Sequence, residues 1–240
     1  MNLEIVAHRG FSVMAPENTL AAFTAAIEGG ASSIEFDLQL SSDGVPVIFH
    51  DETLERITGS SGRVQEKSLQ ELKQLNAGAW FGEQFAGETI PTLAEALTYF
   101  QQVKRFLYFD VKPHCQWSDS DIQNLIQQVQ DAGILEQCII TAFNEEFLKQ
   151  VRSCCPEIKL GYFLTQASDY PQQLQKAVTA GNAILSSLFN VALENPQFVE
   201  ESRAQGVYWV AWTVDHPEDF QQLLELGVTR IITNSLVGWT

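Results

Sequence analysis

From residue 92 onward the chain alternates short apolar runs with amphipathic ones, and this alternation narrows the accessible folds more than any other property. The apolar runs at 105–111, 137–142, 158–164, 183–188, 207–214 and 230–233 read as strands. Between them, Ile122, Leu125, Ile126 and Val129 recur at i, i+3, i+4 and i+7, the spacing of a helix with one apolar face; Phe220, Leu223 and Leu224 repeat it. Gly133, Gly181, Gly206 and Gly227 follow four of these segments, where a left-handed residue ends a helix. Cys138-Ile139-Ile140 and Ile231-Ile232 are apolar on both faces, as parallel strands covered by helices are.

Nearer the N-terminus, 3–7 and 33–40 predict strands. A helix over 18–28, with Leu20, Phe23 and Ile27 on one face, lies between them. Little more than Ser41-Ser42-Asp43-Gly44 separates the second strand from the next apolar run at 46–50. A parallel neighbour needs a crossover of about a dozen residues or more, so this link is a hairpin turned at Asp43-Gly44. The return strand brings His50 back to the level of Asp37. Eight strands remain without it, and eight βα units in 240 residues predict a (β/α)8 TIM barrel of the α/β class. Only residues 234–240 follow the last strand, so an eighth helix is expected to be short or absent. Residues 51–91 form a small insertion after strand two. It carries a flexible Gly59-Ser60-Ser61-Gly62 loop and a short helix capped by Ser68 with Glu71 in the capping-box position. We expect it to be a cap over the barrel mouth within a single domain spanning 1–240.

A hydrophobic content of 45% supplies ample core, while a formal charge of −16 argues against nucleic acid or an anionic membrane as the main partner. The first residues carry an acidic side chain and a very short apolar run, unlike a signal or transit peptide. No apolar stretch approaches the roughly 18 residues of a membrane-spanning helix, so stable membrane insertion is not expected. The four cysteines lack CxxC spacing, and Cys154-Cys155 reads as two ordinary thiols. The expected setting is cytoplasmic, and a homo-oligomer is compatible with the sequence.

The residues able to do chemistry gather at strand ends. His8 and Arg9 close the first strand. Glu35 and Asp37, two apart, share one face near the end of the second. Asp110 and Lys112 repeat that spacing on the third, Phe143 follows the fourth and Trp212 ends the seventh. Barrel active sites lie at the C-terminal strand ends, so all of these converge on one mouth.

These residues resemble the glycerophosphodiester phosphodiesterase family. The likeness rests on His8-Arg9-Gly10, Pro16-Glu17-Asn18-Thr19, Glu35-x-Asp37, Asp43-Gly44-x-Pro46-Val47, and His50-Asp51 followed by Leu54-x-Arg56. Ile90-Pro91-Thr92-Leu93 and Ala211-Trp212-Thr213-Val214 extend it over nearly the whole chain. The resemblance implies a metal-dependent hydrolase that splits glycerophosphodiesters, small-molecule substrates, into glycerol 3-phosphate and an alcohol. It implies His8 and His50 as the acid–base pair, and Glu35, Asp37 and Asp110 as ligands of one divalent cation, Mg²⁺ or Ca²⁺. Arg9 and Lys112 would grip the phosphate, with Phe143 and Trp212 walling the glycerol or alcohol group. The chemistry is coherent: oxygen ligands suit hard cations, and the charges of the trio, a divalent ion, the two basic residues and a diester monoanion cancel.

Two positions depart from the family pattern. The third carboxylate is Asp110, one methylene shorter than the usual glutamate, and the strand-eight Thr-Asp is Thr233-Asn234. Several nearby residues have simpler readings. Asn18 is expected to cap the first helix and Glu17 to support that cap. His114 is expected in a loop and His216 at the surface; Asp51 either positions His50 or caps the next segment. Trp80 and Phe81 are expected to be packing anchors. Two other functions remain in play: a lysophospholipase-D-like activity on lysolipids, and a non-catalytic phosphate-ester-binding barrel.

Overall fold

The structure, a computed structural model, describes residues 3–235. Eight parallel strands close a barrel: β1 (Glu4–His8), β2 (Ser33–Leu40), β4 (Leu107–Val111), β5 (Cys138–Ala142), β6 (Lys159–Leu164), β7 (Ala183–Leu188), β8 (Tyr208–Trp212) and β9 (Arg230–Thr233). Closure is made by β1, which pairs with both β2 and β9. The short β3 (Pro46–Ile48) runs antiparallel to β2. It pairs with Leu38–Leu40, beyond the point where β1 has ended, and the Phe49 N–H to Asp37 carbonyl bond (3.0 Å) continues the pairing. His50 therefore arrives at the level of Asp37, as the connector length requires.

Strand alternation sorts the side chains into two environments. Outward residues such as Ala7, Ile34, Phe36, Leu38, Phe109 and Ile140 join the large core beneath the surrounding helices. Val6, Tyr108, Ile139, Ile184, Val210 and Ile232, from six different strands, form a second cluster that fills the barrel. The inward positions one step further along β1, β2 and β4 are His8, Glu35, Asp37 and Asp110.

The main helices follow in order. The first, α1 (Leu20–Glu28), is capped by the Thr19 hydroxyl, which accepts the Ala22 N–H. Its start corrects the expected one. Asn18 is not the cap: it sits at φ 60°, a left-handed conformation that asparagine tolerates better than most residues, and its side chain is used elsewhere. The insertion supplies α2 (Glu55–Thr58) and α3 (Leu69–Leu72). Ser68 and Glu71 form the expected reciprocal cap on α3. Val47, Phe49, Leu54, Ile57, Val64, Leu72, Ala77 and Ile90 bury one another in a separate cluster that ties the insertion to the return strand. Then come α4 (Leu93–Phe100), α5 (Asp119–Asp131), α6 (Glu145–Cys154) and α7 (Tyr170–Ala180). Two helices, α8 (Phe189–Glu194) and α9 (Pro196–Ala204), cross between β7 and β8, and α10 (Pro217–Glu225) precedes β9. The expected glycines after α5, α7, α9 and α10 all have positive φ. The segment in which an eighth helix would lie falls almost wholly outside the described residues.

Candidate active site

Strand register brings the inward carboxylates together. His8 is the lateral neighbour of Glu35, and Asp37 of Asp110. The shorter aspartate thus stands directly across from its partner, and oxygens of Glu35, Asp37 and Asp110 all lie within 4.8 Å of one another. Lys112 joins the latter two, its Nζ 2.5 Å from Asp37 Oδ1 and 2.8 Å from Asp110 Oδ2. The other Asp110 oxygen, Oδ1, is buried with no hydrogen-bond partner. A buried acceptor left open beside two further carboxylates fits a hard divalent cation, whose coordination would satisfy it.

The local fold of Arg9 is unusual. Arg9 has φ 55°, and its N–H donates to Glu35 Oε2 (3.0 Å) while its carbonyl accepts the Asn18 N–H (2.9 Å). Such backbone strain is characteristic of functional positions. Its guanidinium meets Glu17 Oε1 at 2.8 Å and Asp37 Oδ2 at 3.4 Å. Asn18 Nδ2 donates to that same Asp37 oxygen (2.6 Å), and the Asp37 N–H donates back to Asn18 Oδ1 (3.3 Å). Asn18 therefore orients a carboxylate of the acidic trio, and Glu17 pairs with arginines instead of supporting a helix cap. Against the burial that would raise it, Lys112 and Arg9 hold the Asp37 carboxyl well below the carboxylate range. Burial, then the charges of Asp37 and Asp110, push Glu35 well up; burial and Asp37 also raise Asp110.

The two histidines have different partners. His50 Nδ1 lies 2.6 Å from Asp51 Oδ1. Arg56 grips the same carboxylate through Nε (2.6 Å) and reaches Glu17 with its two terminal nitrogens (3.0 and 2.8 Å). One exposed arginine thus links the supports of His50 and Arg9. His8 Nδ1 instead meets a neutral amide, Asn234 Oδ1, at 2.7 Å. Burial, with the Arg9 cation next, lowers the His8 pKa to about 4.

His8, Arg9, Glu35, Asp37, His50, Asp110, Lys112, Phe143 and Trp212, every site residue expected from the sequence, line a single cavity of about 190 Å³. Phe163 lines it too: it stacks on Phe143 (centroids 4.2 Å apart) and meets Trp212 edge-on. Thr141, Ser186 and Thr213 add hydroxyls. Phe163 escaped the sequence reading because an aromatic inside an apolar strand looks like core; its position near the C-terminal end of β6 is the signal that points to the mouth. No residue of 51–91 lines the cavity; the insertion reaches the site through Asp51 and Arg56. Trp80 packs edge-on against Phe81 away from it, His114 is a half-buried loop residue outside it, and His216 is exposed.

A parallel barrel with an acidic trio, two histidines and two cations at its C-terminal mouth defines a hydrolase equipped for phosphate esters. The family model for the glycerophosphoryl diester phosphodiesterase family matches residues 8–237, and the chain belongs to that family. It is 36% identical to the glycerophosphodiester phosphodiesterase of Caldanaerobacter subterraneus over 98% of this chain and 95% of the relative. A Bacillus subtilis glycerophosphodiester phosphodiesterase is 30% identical, over 95% of this chain and 82% of the relative. Among solved structures, an Oleispira antarctica phosphodiesterase in complex with the product sn-glycerol-3-phosphate superposes with a TM-score of 0.82 at 30% identity, covering 96% of this chain and 92% of that one.

Proposed function

We propose that this chain hydrolyses small glycerophosphodiesters to glycerol 3-phosphate and an alcohol, using one Mg²⁺ or Ca²⁺ held by Glu35, Asp37 and Asp110. The observation that carries the reading is the open, buried Asp110 Oδ1 within a carboxylate trio that shares its cavity with two separately supported histidines. When bound, a hard divalent ion stabilises charge on phosphoryl oxygens and acidifies a neighbouring hydroxyl. Arg9 and Lys112 position the phosphate. His8 and His50 exchange protons at Nε2, because Nδ1 of each is engaged by Asn234 or Asp51. In the first half-reaction the glycerol 2-hydroxyl attacks phosphorus, one histidine takes its proton and the other protonates the departing alcohol. Water then opens the cyclic phosphate with the two roles reversed. Phe143, Phe163 and Trp212 give the alcohol an apolar wall.

The insertion belongs to the same single domain, since its cluster shares Val47 and Phe49 with the return strand. Among the described residues no helix is long and apolar enough to cross a membrane. Four free thiols support a cytoplasmic setting.

The test is release of choline by purified protein with Mg²⁺ or Ca²⁺, from glycerophosphocholine and from lysophosphatidylcholine. Metal-dependent release from glycerophosphocholine is expected, falling by about two orders of magnitude or more in His8→Ala and His50→Ala. Preference for the lysolipid would replace the substrate assignment. Binding without metal-stimulated turnover would leave only the non-catalytic barrel.

A further inference from the structure

Asn234 directly follows β9 and touches His8 of the neighbouring β1, at the seam where the barrel closes. Its side-chain oxygen lies 2.7 Å from His8 Nδ1 and 3.0 Å from Ser12 Oγ. Its side-chain nitrogen donates to Asp215 Oδ2 at 2.7 Å. The other Asp215 oxygen accepts the Asn234 backbone N–H (2.9 Å) and the Thr233 hydroxyl (3.1 Å).

An amide can be placed either way round, so its orientation must come from partners that have only one role. Asp215 is such a partner: an ionised carboxylate only accepts. It therefore takes the NH2 end of Asn234 and turns the carbonyl toward His8. A carbonyl also only accepts, so His8 Nδ1 must carry hydrogen. The lone pair of neutral His8 is then on Nε2, the nitrogen 3.8 Å from Glu35 Oε2 and facing the carboxylate trio.

We propose that Asp215 and Asn234 act as a positioning relay that locks His8 in the Nδ1–H tautomer, leaving Nε2 as its proton-exchanging atom. The relay rests on the hydrolytic reading above but not on which histidine acts first as acid, because Nδ1 keeps its hydrogen in both half-reactions. Asn234 and Asp215 touch no reacting atom; they act through His8.

The relay makes an unusual prediction about exchanging amide and carboxylate. In Asp215→Asn the new side-chain oxygen must keep accepting the Asn234 backbone N–H, so its NH2 faces Asn234. Two NH2 groups cannot oppose each other, and Asn234 flips. Its NH2 then points at His8 and favours the Nε2–H tautomer. In Asn234→Asp two carboxylates face each other where an N–H···O bond stood. Combining the changes restores a donor at 215 and an acceptor toward His8.

The experiment compares wild type, D215N, N234D and the D215N/N234D double variant. Long-range ¹H–¹⁵N spectra of the imidazoles in metal-free protein at neutral pH read the tautomer, with His8 assigned by His8→Gln. Steady-state kinetics on glycerophosphocholine with saturating metal read turnover. We expect D215N to convert His8 to Nε2–H and to lose about 100-fold in kcat with KM changed less than about threefold. The double variant should regain Nδ1–H and at least about tenfold of the lost kcat. If D215N fails to fold, N234L, which removes the acceptor facing His8 Nδ1, should likewise lose the Nδ1–H preference and turnover. Retention of Nδ1–H in D215N, or a double variant no better than D215N, overturns the relay. Wild type without metal-dependent turnover would instead overturn the hydrolytic reading, while the spectra still judge the tautomer lock.

Discussion

At the scale of single residues, Asp110 carries the most chemical information. A side chain one methylene shorter than glutamate is a handicap only if it starts too far from the ion. Here the β2–β4 register sets it directly opposite Asp37, and Lys112 bridges the two. Asp110→Asn keeps the shape while removing the charge and one strong acceptor. It should weaken Mg²⁺ or Ca²⁺ binding by about 10- to 100-fold, as measured by calorimetry on the variant protein. Unchanged affinity would show that Glu35 and Asp37 hold the ion without it. Asn18 and Glu17 make a different point at this scale. Their residue types suit a helix start, and nothing in their spacing distinguishes a cap from an amide that orients a carboxylate or from an arginine partner. Only the left-handed turn at Asn18 reveals the difference, because it points the amide at Asp37.

At the scale of elements, the loop between β1 and α1 does the most demanding work. Gly10 has φ 80°, and a Cβ there would stand 2.7 Å from the backbone carbon of Ala22 in α1. The glycine therefore lets the helix pack against the loop that carries Arg9, and the Phe11 N–H to Ala22 carbonyl bond (2.9 Å) fastens that contact. Gly10→Ala should destabilise the fold by about 1–3 kcal/mol and lower kcat/KM, since relief of the clash moves Arg9. Denaturant titration alongside kinetics checks both; a stable variant with normal kinetics would show that the loop has room to yield. The return strand is the element most legible from sequence, since five residues cannot make a parallel crossover. The insertion was less legible: its capped helix was readable from Ser68 and Glu71, whereas its place beside the cavity depends on long-range packing onto Val47 and Phe49. Arg56 shows the consequence, joining Asp51 to Glu17, which lies 39 positions before the arginine in sequence. Arg56→Met should reduce kcat about tenfold by loosening His50 and Arg9 together. A change in kcat no larger than that of an unrelated surface substitution would rule the link out.

At the scale of the whole molecule, folding gathers three carboxylates into one buried site of an already acidic chain. Glu35 and Asp110, raised by burial and their neighbours, hold protons in the metal-free fold at pH values where the unfolded chain has lost them. That share of stability is present at low pH and is lost as pH rises above the ordinary carboxylate range through the raised values. Asp37, depressed chiefly by Lys112 and Arg9 against burial, acts oppositely, losing its contribution only as pH falls below that range. Burial with the Arg9 charge lowers His8 to about 4, so His8 makes the fold gain stability with pH between about 4 and its unfolded value near 6.5. A divalent ion held by the trio would need it ionised and so would compete with the raised protons. The rise in Tm on adding Mg²⁺ or Ca²⁺ to chelator-treated protein should therefore grow as pH is raised from the ordinary carboxylate range toward neutrality. Scanning calorimetry across that range tests it, and a metal-induced shift independent of pH would mean the trio titrates normally.

The sequence by itself determined the barrel and the face of each strand on which chemistry sits. Strand and helix periods and connector lengths are local quantities, and alternation alone turns Glu35, Asp37 and Asp110 inward. Tertiary structure decided which inward residues become partners. His8 and Asn234 are separated by 226 positions and meet only because β9 closes against β1. Hydrogen bonds are selective over tenths of an ångström, and that precision comes from register and closure, which no local pattern encodes.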